Sequence, residues 1–139
     1  METVNGATVI LPEAGEAAAD VEREPVVFGP SQNQEAYVVM VGSMPVGDPA
    51  PPLHRHPHMD EAFYIAEGQL TFHLGDRELV AGAGAFVFIP RGLVHTAWNS
   101  GSGPMRGLLL LSPGGAEHIF QSVETASHPA RAHVGAEDF

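Results

Sequence analysis

Three histidines at alternating positions stand out as residues that could do chemistry. His54, His56 and His58 are separated by single residues, so an extended backbone would project their imidazoles from one face at intervals of about 7 Å. Glu61 follows after a bend, and His95 comes much later in the chain, after a Pro-Arg-Gly turn. Three neutral imidazoles and one carboxylate suit a divalent transition metal such as Fe, Mn, Ni, Co, Cu or Zn. Four such ligands on an ion that prefers six would leave two positions for water, substrate or oxygen.

Short β-strands must position these side chains. In the segment 69–74 apolar residues alternate with polar ones, which is typical of a strand with one buried face. The apolar run at 37–41 instead predicts a strand buried on both faces. Gly68, Gly84 and Gly92 lie where hairpins must turn with positive φ. The predicted strands are Glu35–Met44, Glu61–Glu67, Gln69–Leu74, Glu78–Val80, Ala85–Ile89, Val94–Asn99 and Met105–Leu111.

The composition indicates a chain that turns often. Its 139 residues include 16 glycines and 12 prolines, and turns this frequent between short strands favour an all-β antiparallel sandwich or barrel. The length suits one domain. The expected parts are a single domain over 1–139, made of an acidic arm at 1–24 with a strand at Thr8–Leu11, a β-barrel core at 25–123 with a short C-terminal helix at Gly115–Val123, and a tail at 124–139.

The charge excludes several classes of partner. The chain carries 17 acidic residues against six arginines and no lysine, for a net charge of −11, whereas nucleic acids and anionic membranes attract basic faces. Cysteine is absent, which excludes disulfides, thiolate metal sites and cysteine nucleophiles. No apolar run approaches the roughly 18 residues of a membrane helix, and no basic residue precedes an apolar stretch at the N-terminus as in a secretory signal. We therefore expect a soluble, cytoplasmic protein whose partner is a small molecule.

Two spaced motifs resemble those of the cupin superfamily. The segment 52–68 reads PLHRHPHMDEAFYIAEG, which is similar to the first cupin motif: His-x-His, four residues, Glu, six residues, Gly. The segment 84–99 reads GAFVFIPRGLVHTAWN, which is similar to the second: Gly, five residues, Pro-x-Gly, two residues, His, three residues, Asn. One position departs from the pattern, because Asp48 stands where the family has glycine. The short spacer resembles that of small single-domain microbial cupins of the quercetinase-like type.

The resemblance implies a cupin double-stranded β-helix, or jelly-roll barrel, with His54, His56, Glu61 and His95 as the metal ligands. It also implies a homodimer, often with N-terminal strands exchanged between subunits, and we assign the strand at Thr8–Leu11 to that contact. In cupin dioxygenases that act on flavonols, the equivalent glutamate can also accept the substrate's hydroxyl proton. The resemblance thus implies a catalytic role for Glu61 as well.

A metal site of this kind supports three functions. We favour a dioxygenase acting on a small aromatic or enolisable diketone or flavonol-like substrate, because the candidate pocket residues Phe63 and Ile65 are apolar. One alternative is a metal-dependent isomerase or lyase, although cations that could hold a phosphate are scarce near the site. The other alternative is a non-catalytic cupin that binds a small ligand.

Three further residues could surround the centre. His58 shares the parity of the two histidines before it, and we favour a solvent-facing position at the barrel mouth over a contact with a metal ligand. Asn99 shares a face with His95 and is expected either to form a hydrogen bond that supports the centre or only to form a turn. Trp98 has the opposite parity and is expected on the outer face of the barrel.

Overall fold

The computed structural model describes residues 2–5, 7–9, 26–28, 36–114 and 137–138. These residues contain strands, turns and loops but no helix. The strands are β1 Glu2–Val4, β2 Ala7–Val9, β3 Val26–Phe28, β4 Val38–Met44, β5 His54–Arg55, β6 Asp60–Glu67, β7 Gln69–Leu74, β8 Arg77–Gly82, β9 Phe86–Ile89, β10 His95–Trp98, β11 Met105–Ser112 and β12 Glu137–Asp138.

Ten of these strands form two five-stranded sheets. Sheet I has the order β12-β5-β10-β7-β8, and sheet II has the order β3-β4-β11-β6-β9. All pairings within the two sheets are antiparallel except that of β12 with β5, which is parallel. The remaining strands, β1 and β2, pair with each other. Neighbours in each sheet are mostly distant in sequence, so the two motif segments are brought together by strand pairing.

The apolar core lies between the two sheets. Sheet I contributes Leu70 and Phe72, and sheet II contributes Ile65 and Ile89, all with at most 1% of their surface exposed. Leu70 and Phe72 of β7 are both buried in this core, as expected, but Thr71 on the other face of the strand is buried as well. Burying each such side chain stabilises the fold by roughly 1.5–3 kcal/mol.

Glycine is required at the connection between β6 and β7. Gly68 has a φ of +79°, and a Cβ at this position would lie 2.6 Å from the carbonyl oxygen of Pro104. No other residue fits this close approach of two backbones. The expected positive φ is also present at Gly84 and Gly92, with values of +87° and +86°.

Strand β4 differs from its sequence prediction. It was expected to be buried on both faces, but Val41 is 48% exposed while Val38 is fully buried. Sheet I covers only the inner face of sheet II, so among the described residues the outer face of β4 is open. The continuous apolar run therefore marks an exposed apolar face as well as a buried one.

The chain ends are described only in part. Thr8 belongs to β2, which pairs with β1, and the end of the predicted strand at Leu11 lies outside the described residues. The predicted helix Gly115–Val123 also lies outside them. Within the predicted tail, Glu137–Asp138 forms β12. The described part of the chain holds no helix with the length and hydropathy needed to cross a bilayer.

Candidate metal centre

Four polar side chains from both sheets meet in the interior of the barrel. His54 on β5 and His95 on β10 lie directly opposite each other in sheet I. Glu61 extends from β6 in sheet II, and His56 follows β5 in the loop that leads to β6. None of the four is more than 7% exposed. We call these residues the His/Glu cluster.

The ligand atoms of the His/Glu cluster all lie within 4.8 Å of one another. The ring centroids of His54 and His95 are 4.4 Å apart, and that of His56 lies 4.9 Å and 5.1 Å from them. Glu61 Oε2 is 2.9 Å from His56 Nε2 and 2.8 Å from His95 Nε2. The structure thus brings together the four side chains that the sequence motifs singled out.

Backbone carbonyls orient two of the three rings. His54 Nδ1 donates to the carbonyl of Pro52 and His95 Nδ1 donates to the carbonyl of Leu93, each at 2.8 Å. A carbonyl oxygen can only accept, so both Nδ1 atoms carry a hydrogen. Nε2 is therefore the nitrogen that could coordinate an ion in each ring, and a backbone partner on the other nitrogen is usual for a histidine that binds a metal.

Burial and neighbouring charges set the protonation of the cluster. Burial, together with the nearby His95, lowers the pKa of His54 to about 4, so this imidazole is neutral at neutral pH. Burial opposes ionisation of Glu61, but hydrogen bonds from His56 and His95 outweigh it and lower the pKa of Glu61 to about 2. Burial likewise opposes a charge on His95, but the hydrogen bond to Glu61 raises its pKa above the ordinary value.

The donor set of the cluster fits a cation. His95 donates from Nδ1 to Leu93, and its Nε2 lies 2.8 Å from an ionised carboxylate, so without an ion both ring nitrogens must carry protons. The carboxylate is then balanced by an imidazolium. A divalent ion can replace that proton as the counter-charge and accept the lone pairs of three neutral imidazoles. The residues present therefore fit a divalent transition metal.

The cluster lies within a segment that matches a known family. Residues 40–111, which are 72 of the 139 residues, match the family model described as Cupin domain. The chain belongs to the cupin family. Cupins typically bind a metal, in agreement with the donor set described above. No curated protein sequence matches the chain.

Solved structures of several bacterial proteins share this fold. A Klebsiella pneumoniae protein with a double-stranded β-helix domain is 26% identical, with a TM-score of 0.55 over 77% of this chain and 85% of that one. A Bacillus halodurans protein is 24% identical, with a TM-score of 0.53 over 57% of this chain. The match spans 64% of the Bacillus protein, which is less than two thirds of its length. A predicted oxalate decarboxylase from Thermotoga maritima is 21% identical, with a TM-score of 0.53 over 66% of this chain and 94% of that one.

The second cupin motif contains a charged residue whose role sequence reasoning missed. Arg91, in the turn before β10, makes three hydrogen bonds to the carboxylate of Asp60, the residue directly before Glu61. These bonds also hold the pKa of the Asp60 carboxyl below its usual range. The available signal was an acidic residue beside the motif glutamate and an arginine inside the Pro-x-Gly turn. Sequence alone does not show that the two positions are adjacent in space.

The expected pocket residues lie on the same inward face as Glu61. Ile65 has no exposed surface and belongs to the apolar core with Leu70 and Phe72. Ile65 therefore packs in the core, and a role for it in a substrate pocket stays a prediction. Phe63 is half-buried and its ring stacks edge-on against Phe72 at a centroid distance of 5.1 Å. A pocket role for Phe63 stays a prediction.

The residues expected around the centre have different positions. His58 is exposed, and its place at the barrel mouth or beside a metal ligand stays a prediction. Asn99 donates from Nδ2 to the carbonyls of Met44 and Gly103 and accepts from the backbone of Gly101. These bonds fasten two loops to each other, and a supporting role of Asn99 toward the centre stays a prediction. Trp98 pairs with Thr71, on the opposite face of β10 from His95.

Proposed function

We propose that this cupin is a metal-dependent dioxygenase that acts on a small aromatic or enolisable diketone or flavonol-like substrate. The observation that carries the proposal is the buried His/Glu cluster, in which three imidazoles and one carboxylate place their ligand atoms within 4.8 Å of one another. A buried polar cluster of this size lowers stability unless it has a partner. A function that needs the cluster explains why it is present.

The proposed cofactor is one divalent transition metal, Fe, Mn, Ni, Co, Cu or Zn. The proposed ligands are Nε2 of His54, His56 and His95 and the carboxylate of Glu61. When bound, such an ion polarises a substrate oxygen and, if it is redox-active, exchanges electrons with dioxygen. The protein keeps His54 neutral for this purpose by burying it, because only the neutral imidazole has a lone pair to offer.

Glu61 is proposed to act both as a ligand and as the acceptor of a substrate proton. Its pKa of about 2 keeps it ionised at neutral pH, and its Oε2 already accepts hydrogen bonds from His56 and His95. A carboxylate takes a proton more readily from an acidic hydroxyl than from a weakly acidic one. This property favours phenolic and enolic hydroxyls over those of sugars, which supports the proposed substrate class.

The surroundings of Glu61 also favour an apolar substrate. Across the neighbouring strands, Glu61 lies opposite Leu111 and Ile89, both almost completely buried. Arg91 is the arginine of the second motif, and its guanidinium is paired with the carboxylate of Asp60. A phosphate cradle needs a cation that points to the ligand, and Arg91 is already engaged elsewhere.

Oxygen uptake tests the proposed function. Protein loaded separately with Fe, Mn, Ni and Co should consume oxygen in the presence of a flavonol or a diketone, and metal-free protein should not. Turnover of a substrate under argon would replace the dioxygenase with an isomerase or lyase, in line with the Thermotoga neighbour named as a predicted oxalate decarboxylase. Tight binding of these compounds without turnover would indicate a non-catalytic cupin.

The variant Glu61→Gln tests the double role of this residue. Glutamine keeps the shape and one oxygen donor but cannot take up a proton, so activity should fall by more than metal content does. The matched control is Glu78→Gln, which changes an exposed glutamate on β8. Equal losses of activity and metal in Glu61→Gln would leave Glu61 as a ligand only.

We also propose a cytoplasmic homodimer. Its support is the outer face of sheet II, where Tyr64, Phe86 and Phe88 are 46%, 67% and 55% exposed beside the exposed Val41. A second copy that covers this face would remove a large apolar surface from water. Sedimentation should show a dimer for the wild type and a monomer for Phe86→Asp. A wild-type monomer would overturn the proposal.

A further inference from the structure

One short turn contacts three of the four members of the His/Glu cluster or their immediate neighbours. Residues 90–93 connect β9 to β10, and a hydrogen bond from the Leu93 amide to the Pro90 carbonyl closes them into a turn at 3.2 Å. We call this segment the 90–93 turn. Its position between two strands of different sheets lets it touch both sides of the centre.

Two backbone groups of the 90–93 turn hold two histidines. The Leu93 carbonyl accepts a hydrogen bond from His95 Nδ1 at 2.8 Å, which fixes the orientation of that ring. The Gly92 amide donates to the His56 carbonyl at 2.8 Å, which fixes the backbone that carries the second ring. The spacing between these two imidazoles therefore depends on where the turn lies.

The side chain of Arg91 links the turn to β6. Arg91 donates from its backbone amide and Nε to Asp60 Oδ1, at 2.9 and 3.2 Å, and from Nη2 to Oδ2 at 3.1 Å. The planar guanidinium allows little freedom when it engages both carboxylate oxygens. Because Asp60 directly precedes Glu61, these three bonds fix the start of β6 against the turn.

We propose that Arg91 and Asp60 form a clamp that positions Glu61 and His56 relative to His95, so that these two surface residues set the metal affinity of the buried centre. Neither residue contacts the reacting atoms, so both are positioning residues. The inference rests on the proposed metal centre and adds a determinant of its affinity. Partners that orient metal ligands typically change metal affinity by about 10–100-fold when they are removed.

For the variant Arg91→Gln, electrostatics alone predicts a change in metal affinity opposite to the one that loss of the clamp predicts. Removing the positive charge of Arg91 takes a like charge away from the vicinity of a bound cation, which by electrostatics should strengthen metal binding. Loss of the clamp should weaken it, because Glu61 would no longer be held in position. The direction of the change in Arg91→Gln therefore separates positioning from charge.

The other end of the same strand supplies a matched control. Arg106 on β11 lies 4.0 Å from the carboxylate of Glu67, the last residue of β6. This pair also joins an arginine to an acidic residue of β6, and it carries the same charges as the clamp. It lies at the opposite end of β6 from Glu61, so the proposal assigns it no part in metal binding.

The test is a titration of metal-free protein with Co²⁺, followed by visible absorption. The proteins are the wild type, the single variants Arg91→Gln, Arg91→Lys, Asp60→Asn and Arg106→Gln, and the double variant Asp60→Asn with Arg91→Gln. We expect Arg91→Gln to raise the Kd about tenfold and to change the ligand-field spectrum, with Arg91→Lys between it and the wild type. Arg106→Gln should match the wild type. The double variant Asp60→Asn with Arg91→Gln should bind no more weakly than the weaker of the two single variants, since one clamp can be lost only once.

The outcomes separate this inference from the proposed function. If the wild type binds Co²⁺ and Arg91→Gln binds it equally or more tightly, the clamp is wrong and the metal centre stands. An equal loss in Arg106→Gln would also overturn the clamp, because the effect would then be a general one. If the wild type itself binds no Co²⁺, the metal centre is wrong and the clamp fails with it. Thermal melting of each metal-free variant checks that it is folded at the titration temperature.

Discussion

The two halves of the barrel interior bury very different residues. In one half, the His/Glu cluster places three imidazoles and a carboxylate where none is more than 7% exposed. In the other half, Ile65, Leu70 and Phe72 have no exposed surface and pack with the buried Met105. Both halves lie between the same two sheets and share β6, which runs from Asp60 to Glu67.

The two halves therefore contribute to the stability of the fold in opposite ways. Apolar burial contributes roughly 25 cal/mol per Å² removed from water, so the apolar half favours folding outright. Buried charges and imidazoles favour the unfolded state unless they are paired, and the cluster is only balanced by its internal hydrogen bonds. The apolar half thus offsets the cost of the polar half, which we propose holds the ion.

The largest expected effect is in the apolar half. Phe72→Ala should lower the free energy of unfolding of the metal-free protein by about 3–5 kcal/mol, because it removes a fully buried ring and leaves a cavity. Urea denaturation measures this loss. The control Val80→Ala removes a side chain that is 59% exposed on β8, away from the outer face of sheet II, and should cost about 0.5 kcal/mol or less. Similar losses in both variants would contradict the division between buried core and open face.

Lowering the pH should reveal how much the buried histidines reduce the free energy of unfolding. His54 has a pKa of about 4 when folded and about 6.5 when unfolded, so the unfolded chain takes up a proton that the folded chain refuses between these values. The contribution of His54 to stability therefore falls as the pH drops from 6.5 to 4, by about 3 kcal/mol in total. Above pH 6.5 this loss is absent.

The variant His54→Gln isolates that contribution. His95, whose pKa is raised, acts in the opposite sense, because its extra proton stabilises the fold at low pH and is lost as the pH rises through its folded pKa. Urea denaturation of both metal-free proteins between pH 7 and pH 4.5 should show the variant losing less stability than the wild type. If the free energy of unfolding fell equally with pH in both proteins, the fold would not hold His54 in its neutral form.

A smaller effect should accompany metal binding. Although burial opposes its charge, the hydrogen bond to Glu61 raises the pKa of His95, so an incoming ion should displace a proton from this ring. Calorimetry of metal binding in two buffers of different ionisation heat measures the number of protons released. A value near zero at pH 6.5 would show that His95 is not the imidazole that an ion deprotonates.

The fold and the cluster could be predicted from the sequence because their signals depend on neighbouring residues or on the fixed residue spacing of a motif. The inward apolar face of β7 and the glycines at tight turns depend on a few neighbouring residues, and the structure shows a buried Phe72 and a positive φ at Gly68. The cluster members carry the spacing of two motifs, one contiguous and one centred on His95. Each motif limits where its own ligand can point.

The contacts between motifs could not be read in the same way. The pairing of Asp60 with Arg91 depends on which end of β6 faces the turn before β10, which only the assembled sheets determine. The loop contacts of Asn99 likewise depend on how Met44 returns to the barrel wall. The exposure of Val41 depends on what covers sheet II, and a continuous apolar run carries no information about that.

Metal content tests the central claim most directly. Elemental analysis compares the purified wild type with His54→Ala and His95→Ala, one variant from each motif. The control is His73→Ala, which changes a histidine outside the cluster, on the hairpin of β7 and β8. We predict about one divalent ion per chain in the wild type and the control, and less than about a tenth of that in the two cluster variants. Equal metal content in all four proteins would show that the His/Glu cluster does not hold the ion.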